Sequence, residues 1–302
     1  MQLGWIGTGK IGNPMARSVL RAGHTVAVHD LNEAATANLI ELGATWAESP
    51  AAAAAGAEVV FTSLPGPVEI EQVLTSENGI LAGARRGATY VDLSSNLPST
   101  ARRLAAVAAS HGVAYLDSPV SGGVSGAEAA TLAVMVGGDR QAFETCRPLL
   151  ESIGSNVFHL GDVGAGCVAK LVNNLIGLGA QHLINEGLVA GVKAGVDART
   201  LYEVMNVSSA KAYVQAVPRL LERTFDVAPF TLKLTTKDVG LAVTMGRELG
   251  VPMPASAAIE QAMLAAVATG LGPMAMNATL LYLEKLAGIE VHDRPAEAPA
   301  GG

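Results

Sequence analysis

The first half of the chain alternates short runs that are apolar at nearly every position with stretches of helical period. The runs are Leu3–Ile6, Thr25–Val28, Val59–Leu64, Tyr90–Leu93, Ala114–Leu116, Leu132–Val136 and Val157–Leu160. Helical patterns such as Ile11–Ala22, Glu33–Leu42 and Thr100–His111 lie between several of them. A strand with one wet face alternates apolar and polar residues, so unbroken apolar runs predict strands covered on both faces. Strand–helix alternation then predicts an α/β fold, a doubly wound and largely parallel sheet of Rossmann type. The pattern changes near Gly161–Gly166. From there to about Gly288 helical period dominates, with Gly195, Gly250 and Gly288 placed as helix stops. The division expected is a dinucleotide-binding domain over 1–162, an all-α domain over 163–290 and a disordered tail over 291–302.

Composition narrows the function classes. At 302 residues, half of them hydrophobic and 16% charged, the chain can bury two cores. The net charge is −7 and basic residues form no long run, which argues against a nucleic-acid-binding protein. Cys146 and Cys167 fit neither a metal site nor a disulfide by spacing, so reduced, buried thiols are expected. A strand starting almost at Met1 leaves no room for a leader, and a cytoplasmic location is the expectation. The uncharged stretch between Glu260 and Glu284 is long enough to span a membrane. Gly270-Leu271-Gly272-Pro273 divides it, however, and two buried helices are the better reading, with no membrane partner. No His, Cys, Asp or Glu set has metal-ligand spacing, so no metal is expected.

The chemistry begins at Gly7-Thr8-Gly9-Lys10-Ile11-Gly12, which leaves an apolar strand and opens a helix. Such glycines let the backbone turn tightly and approach a pyrophosphate at a helix N-terminus. A second strand ends in Asp30, at the spacing of a carboxylate that grips an adenosine ribose. It would repel a 2′-phosphate, and no arginine follows in Leu31-Asn32-Glu33, so NAD is favoured over NADP. Leu64, Pro65 and Ser95 end later runs on the same sheet edge and are candidate walls of the site, or plain turn residues. Asp117-Ser118-Pro119-Val120-Ser121-Gly122-Gly123 leaves another strand. Its backbone amides and the Ser121 hydroxyl could hold a carboxylate, or Ser121 could simply satisfy the turn. Lys170 and Asn174 are four apart and share a helix face among apolar neighbours, the pattern of a reaction centre. His182 on the same helix reads as a buried, hydrogen-bonded residue, His24 as a turn residue and His29 as a strand end.

Three motifs, GWIGTGKIGNPMA, DSPVSGGVSGAEAATLAVMVGG and GAGCVAKLVNNL, resemble those of the β-hydroxyacid dehydrogenase family. The resemblance covers about Met1 to Gly288. It implies Lys170 as catalytic lysine and Asn174 as the amide holding substrate. It also implies Ser121, Gly122 and Gly123 as the carboxylate loop, Gly7, Gly9 and Gly12 as the pyrophosphate turn with Thr8, Lys10 and Ile11 in it, and Ser95 beside the nicotinamide. In the segment from Phe230 to Asp238, the Lys237-Asp238 pair matches an element that closes over cofactor and substrate; Lys237 is preferred to Lys233. Ala130 departs from a frequent glycine, and Ser209-Ala210-Lys211-Ala212-Tyr213 departs from a Ser-Gly-Arg or Ser-Gly-Asn segment, so the substrate stays open.

The activity implied is reversible, NAD-dependent hydride transfer between a short 3-hydroxy acid and its semialdehyde, as in 3-hydroxyisobutyrate dehydrogenases, with Lys170 as general acid and base. A free lysine has a pKa of about 10.4, so burial beside the charged nicotinamide is expected to favour the neutral amine. Alternatives are an NADPH-dependent reductase of tartronate, succinic or glyoxylate-type carbonyls, an imine reductase, or a nucleotide binder without turnover. Imine-reducing relatives usually lack the lysine. Apolar, alanine-rich helices in the second half point to a homodimer or homotetramer.

Overall fold

The computed structural model describes residues 1–226 and 230–293. The chain divides into two compact units, Met1–Leu171 and Val172–Gly302. The division falls inside one long helix, Ala165–Lys193, rather than in the loop before it, so it lies later than the 162/163 boundary read from the pattern.

The first unit is a sheet with helices on both faces. Its strands are β1 (Gln2–Ile6), β2 (Thr25–His29), β3 (Thr45–Trp46), β4 (Val59–Thr62), β5 (Thr89–Asp92), β6 (Ala114–Asp117), β7 (Val120–Ser121), β8 (Ala133–Gly138) and β9 (Asn156–Gly161). The order is β3-β2-β1-β4-β5-β6-β8-β7, with β9 on β8. β1 to β6 pair in parallel, while β8 runs antiparallel to β6 and β7. Neighbouring residues along each strand enter opposite cores. Phe61, Val91 and Leu116 pack with Trp5, Met15 and Phe143 on one face, while Val60, Tyr90 and Tyr115 pack with Ile70, Leu74 and Leu104 on the other. This is why the runs are apolar throughout. β9 differs: its residues alternate between exposed and half-buried, leaving Phe158 and Leu160 in solvent, so that run is an outer strand wet on one face. The two-residue strands β3 and β7 are too short for any period to reveal.

The order reverses between β1 and β4, the position where open α/β sheets receive ligands. Trp5 stacks on Phe61 across these two strands, with ring centroids 5.1 Å apart, and its Nε1 donates to the Gly7 carbonyl at 3.1 Å. The core thereby holds the first glycine of the turn directly.

The second unit is helical among its described residues. Besides the end of the long helix it contains Ala198–Val207, Val217–Leu221, Leu232–Glu248, Pro254–Ala266 and Thr279–Ala287. Asp197 and Thr231 cap two of these through hydrogen bonds to the Thr200 and Leu234 amides. Gly195, Gly250 and Gly288 take left-handed φ values of +96°, +67° and +66°, as helix stops require. Gly270, at φ +93°, breaks the apolar stretch between Glu260 and Glu284. No described helix is long and apolar enough to cross a membrane. The end of the chain corrects the expectation of a disordered tail from 291. Val291 is fully buried, its amide donating to Glu284 Oε1 at 2.6 Å and its carbonyl accepting from Arg223 at 2.9 Å. The rest of that tail, 294–302, lies outside the described residues.

Candidate active site

The glycine turn is shaped by two close approaches. A Cβ on Gly7, whose φ is +90°, would lie 2.3 Å from the Ser63 carbonyl oxygen, and one on Gly12 would lie 2.1 Å from the Gly7 oxygen. Side chains there would separate the turn from the end of β4 and the helix from the turn. Gly9 is different, since a Cβ there would meet nothing within 4 Å. Open space beside its backbone is the cradle a pyrophosphate needs, so the turn fits the cofactor that its pattern implies. Asp30 receives the Thr8 amide at 2.6 Å, the Thr8 hydroxyl at 3.1 Å and the Asn32 amide at 2.9 Å. The acid is thus joined to the turn, and Leu31 beside it is fully exposed. Thr8 is buried, Ile11 half-buried and Lys10 exposed.

Further along the same edge, the Leu64 amide donates to Ser94 Oγ at 2.9 Å, linking the exit of β4 to that of β5. Leu64 and Ser95 are half-buried and Pro65 is exposed. Two fully buried acids end neighbouring strands in register, Asp92 on β5 and Asp117 on β6. Asp117 accepts the Gly164 amide at 2.7 Å on Oδ1 and the Cys167 amide at 2.8 Å on Oδ2. It therefore caps the start of the long helix, whose sixth residue is Lys170. Glycines make room for it, because a Cβ at Gly137 would lie 2.6 Å from Oδ1 and one at Gly166 would lie 3.1 Å from Oδ2. Burial raises the Asp117 pKa, and the two amides oppose that rise. β6 leads in turn to Ser121, half-buried, and to Gly122 and Gly123 at φ +138° and +66°. Nothing lies within 4 Å of a Cβ at Gly123. One carboxylate thus joins the strand that enters the serine–glycine turn to the helix that carries Lys170.

Lys170 is half-buried, and Asn174 follows one turn later on the same helix, 8% exposed. Asn174 Nδ2 donates to Asp238 Oδ2 at 2.7 Å, while Asn173 Nδ2 donates to Asn174 Oδ1 at 3.2 Å. Lys237 Nζ lies 2.8 Å from Asp238 Oδ1. The Lys237-Asp238 pair and Asn174 therefore form one connected group, whereas Lys233 is exposed. Phe230 packs against the core around Leu232 and Val239.

Several residues depart from the sequence reading. Asp92, Ser94 and Asp117 were missed as parts of the site, although each strand-ending acid followed by serine was visible in Asp92-Leu93-Ser94-Ser95 and Asp117-Ser118. Asn96 Nδ2 and Ser118 Oγ are buried with no hydrogen-bond partner among the described residues. His182 is buried, its Nε2 lying 3.3 Å from Glu186 Oε1, and its Nδ1 has no hydrogen-bond partner among the described residues. Burial lowers its pKa. Both cysteines are free and buried, and burial pushes the Cys146 thiol up to about 12. No metal-type cluster occurs among the described residues.

Comparison with known proteins decides the family. Residues 2–161 match the NAD binding domain of 6-phosphogluconate dehydrogenase, and residues 164–283 match the NAD-binding domain of NADP-dependent 3-hydroxyisobutyrate dehydrogenase. The chain is 40% identical over 294 residues to a 2-(hydroxymethyl)glutarate dehydrogenase of Eubacterium barkeri, covering 96% of this chain and 97% of that one. The chain belongs to the β-hydroxyacid dehydrogenase family. Another member, the 2-hydroxy-3-oxopropionate reductase of Escherichia coli, is 33% identical over 95% of this chain and 98% of its own. Among solved structures, a 3-hydroxyisobutyrate dehydrogenase of Mycobacterium tuberculosis with L-serine gives a TM-score of 0.83 at 30% identity, covering 93% of this chain and 98% of that one. As a family member the chain is a nicotinamide-dependent oxidoreductase acting on CH–OH groups.

Proposed function

We propose that this dehydrogenase uses NAD to interconvert a short 3-hydroxy acid and its semialdehyde, with Lys170 as general base in oxidation and general acid in reduction. The observation that carries this reading is the Asp117 link, which couples the Ser121–Gly123 turn to the helix bearing Lys170. When bound, the nicotinamide supplies the hydride acceptor or donor. The protein's part is positioning and proton transfer. The turn at Ser121, Gly122 and Gly123 anchors the substrate carboxylate. Lys170 takes the proton of the β-hydroxyl, and Asn174, its amide orientation set by Asp238, orients that hydroxyl without changing charge. Holding both reactants in place replaces an encounter in solution and accounts for much of the expected acceleration. Gly7, Gly9 and Gly12 would hold the pyrophosphate and Asp30 the ribose. The carboxylate of Asp30 and the missing arginine after it favour NAD.

Similarity to a 2-(hydroxymethyl)glutarate dehydrogenase supports including substrates with a second carboxylate. Exposed Val172, Ile176 and Leu183 lie along one stripe of the long helix and support a homo-oligomer. The test is nicotinamide reduction over 3-hydroxyisobutyrate, 3-hydroxypropionate, glycerate, serine, threonate and 2-(hydroxymethyl)glutarate, each with NAD and NADP. A preferred 3-hydroxy acid with NAD is expected. Lys170→Ala should lower kcat by about 10²–10⁴-fold while leaving NADH binding intact; a variant as active as the parent would overturn the assignment.

A further inference from the structure

The Asp92 carboxylate is fully buried, and the mechanism above does not use it. Three donors converge on its two oxygens. Thr62 Oγ1 donates to Oδ1 at 3.1 Å, the Ser94 amide to Oδ1 at 3.0 Å and Tyr115 OH to Oδ2 at 3.3 Å. An ionised carboxylate can accept all three. The arrangement also reaches outward, because Ser94 Oγ accepts the Leu64 amide at 2.9 Å and Thr62 Oγ1 lies 2.8 Å from Tyr90 OH. One side chain thus fixes the exits of β4 and β5, from which Leu64, Pro65 and Ser95 follow, and ties them to β6.

We propose that ionised Asp92 is the positioning residue for the nicotinamide side of the cofactor site, holding the Leu64–Pro65 and Ser94–Ser95 turns in the geometry that binds the dinucleotide. The inference rests on the reading that these turns wall the nicotinamide. Bonds to a carboxylate are charge-assisted and roughly twice as strong as those to a neutral group. A protonated acid presents a donor in place of an acceptor, and the bonds from Thr62, Ser94 and Tyr115 lose their charge assistance. Both turns then loosen together.

Burial raises the Asp92 pKa to about 6, against which the bonds from Ser94, Thr62 and Tyr115 act. The titratable groups facing it are Tyr90 on its own strand, Tyr115 and Asp117 on β6, and Cys167 on the long helix. Burial shifts every one of these upward, so the tyrosines and the thiol stay neutral near pH 7. The folded pKa of Asp92 lies above its unfolded value of 3.8, so the native state binds this proton more readily than the unfolded chain. The buried charge therefore costs stability progressively as pH rises from 3.8 to about 6, and the full cost persists above that. A group that acts only in folding would gain from being neutral there, whereas one that holds the binding turns loses function when neutral.

Stability and binding should therefore move apart in Asp92→Asn. At pH 8 its thermal midpoint should match or exceed that of the parent, while NADH binding, read by fluorescence titration, weakens about tenfold. The parent should lose NADH affinity as pH falls through about 6 and approach the variant near pH 5. Ser94→Ala, which cuts the link to Leu64 and leaves the carboxylate in place, should weaken NADH binding in the same way at pH 8. Equal affinities in parent and variants, or a gap that stays constant from pH 5 to 8, would overturn the inference. So would a fall in thermal midpoint that accounts for the lost binding. Failure of the parent itself to bind NADH would instead count against the reading of the turns.

Discussion

The two halves of this protein hold their inner acids by different means. In the sheet half, Asp30 and Asp117 are met by backbone amides at strand exits and helix starts, Thr8 and Asn32 for the first and Gly164 with Cys167 for the second, while Asp92 takes the Ser94 amide beside the Thr62 and Tyr115 hydroxyls. In the helical half, Asp238 is met by the Asn174 amide and the Lys237 ammonium, and Glu284 by the Arg223 guanidinium. The difference follows from the backbone. Within a helix every N–H beyond the first turn is already bonded to a carbonyl four residues back, so a carboxylate there needs side-chain partners. Strand exits and helix starts leave amides free. The exception supports the rule, since the one amide on Glu284 comes from Val291, past the end of its helix. Amide-held acids join strand exits to turns and helix starts in the half that holds the dinucleotide turn; side-chain-held acids orient their own partners, Asn174 and Arg223 among them, in the other half.

The comparison can be broken at its strongest point first. Asp117→Ala would orphan the Gly164 and Cys167 amides inside the protein, and a loss of about 3 kcal/mol is expected in urea denaturation, each buried amide costing roughly 1–3. An effect under about 1 kcal/mol would show that the helix start is held by packing instead. In the other half, Arg223→Met leaves Glu284 with a single amide. A loss of about 2 kcal/mol is expected, below that of a fully buried pair because Arg223 is part-exposed. Adding Glu284→Gln to that variant should recover most of it, which a double-mutant cycle would read.

The smallest effect sharpens a single turn. Ala130 sits at φ +54°, the left-handed region, just past the helix Gly123–Glu128. The Thr131 amide bonds Gly126 and the Ala130 amide bonds Ala127, the closure with which helices commonly end in glycine. Ala130→Gly should stabilise the protein by about 1 kcal/mol, seen as a higher thermal midpoint, with kcat unchanged. Ala130 thus ends a helix in a left-handed conformation that glycine takes without strain.

Much of the site was legible because its signals are local. The glycine turn, Asp30, Lys170 with Asn174, and the Ser121–Gly123 turn each lie within a few residues of a strand or helix whose period the sequence displays. Lys237 is preferred to Lys233 by resemblance; in the structure Lys237 pairs with Asp238, and Lys233 is exposed. His182 was read as satisfied because buried histidines usually are, yet its Nδ1 has no hydrogen-bond partner among the described residues. The tail was read from its composition, which is blind to Val291 filling a cavity made by helices far away in sequence.

By itself the sequence determined the alternation of strands and helices, the change to helices near residue 161, the dinucleotide turn and the helix face shared by Lys170 and Asn174. These depend on periods of two and 3.6 residues and on the conformational freedom of glycine, all short-range properties of the chain. Only the tertiary structure decided that Asp92 and Asp117 stand in register, that one binds the turns of β4 and β5 while the other caps the helix of Lys170, and that Asp238 faces Asn174. Those partners lie 25 to 64 residues apart. What brings them together is the burial of apolar faces on strands and helices, and no local pattern records which polar groups that burial carries inside.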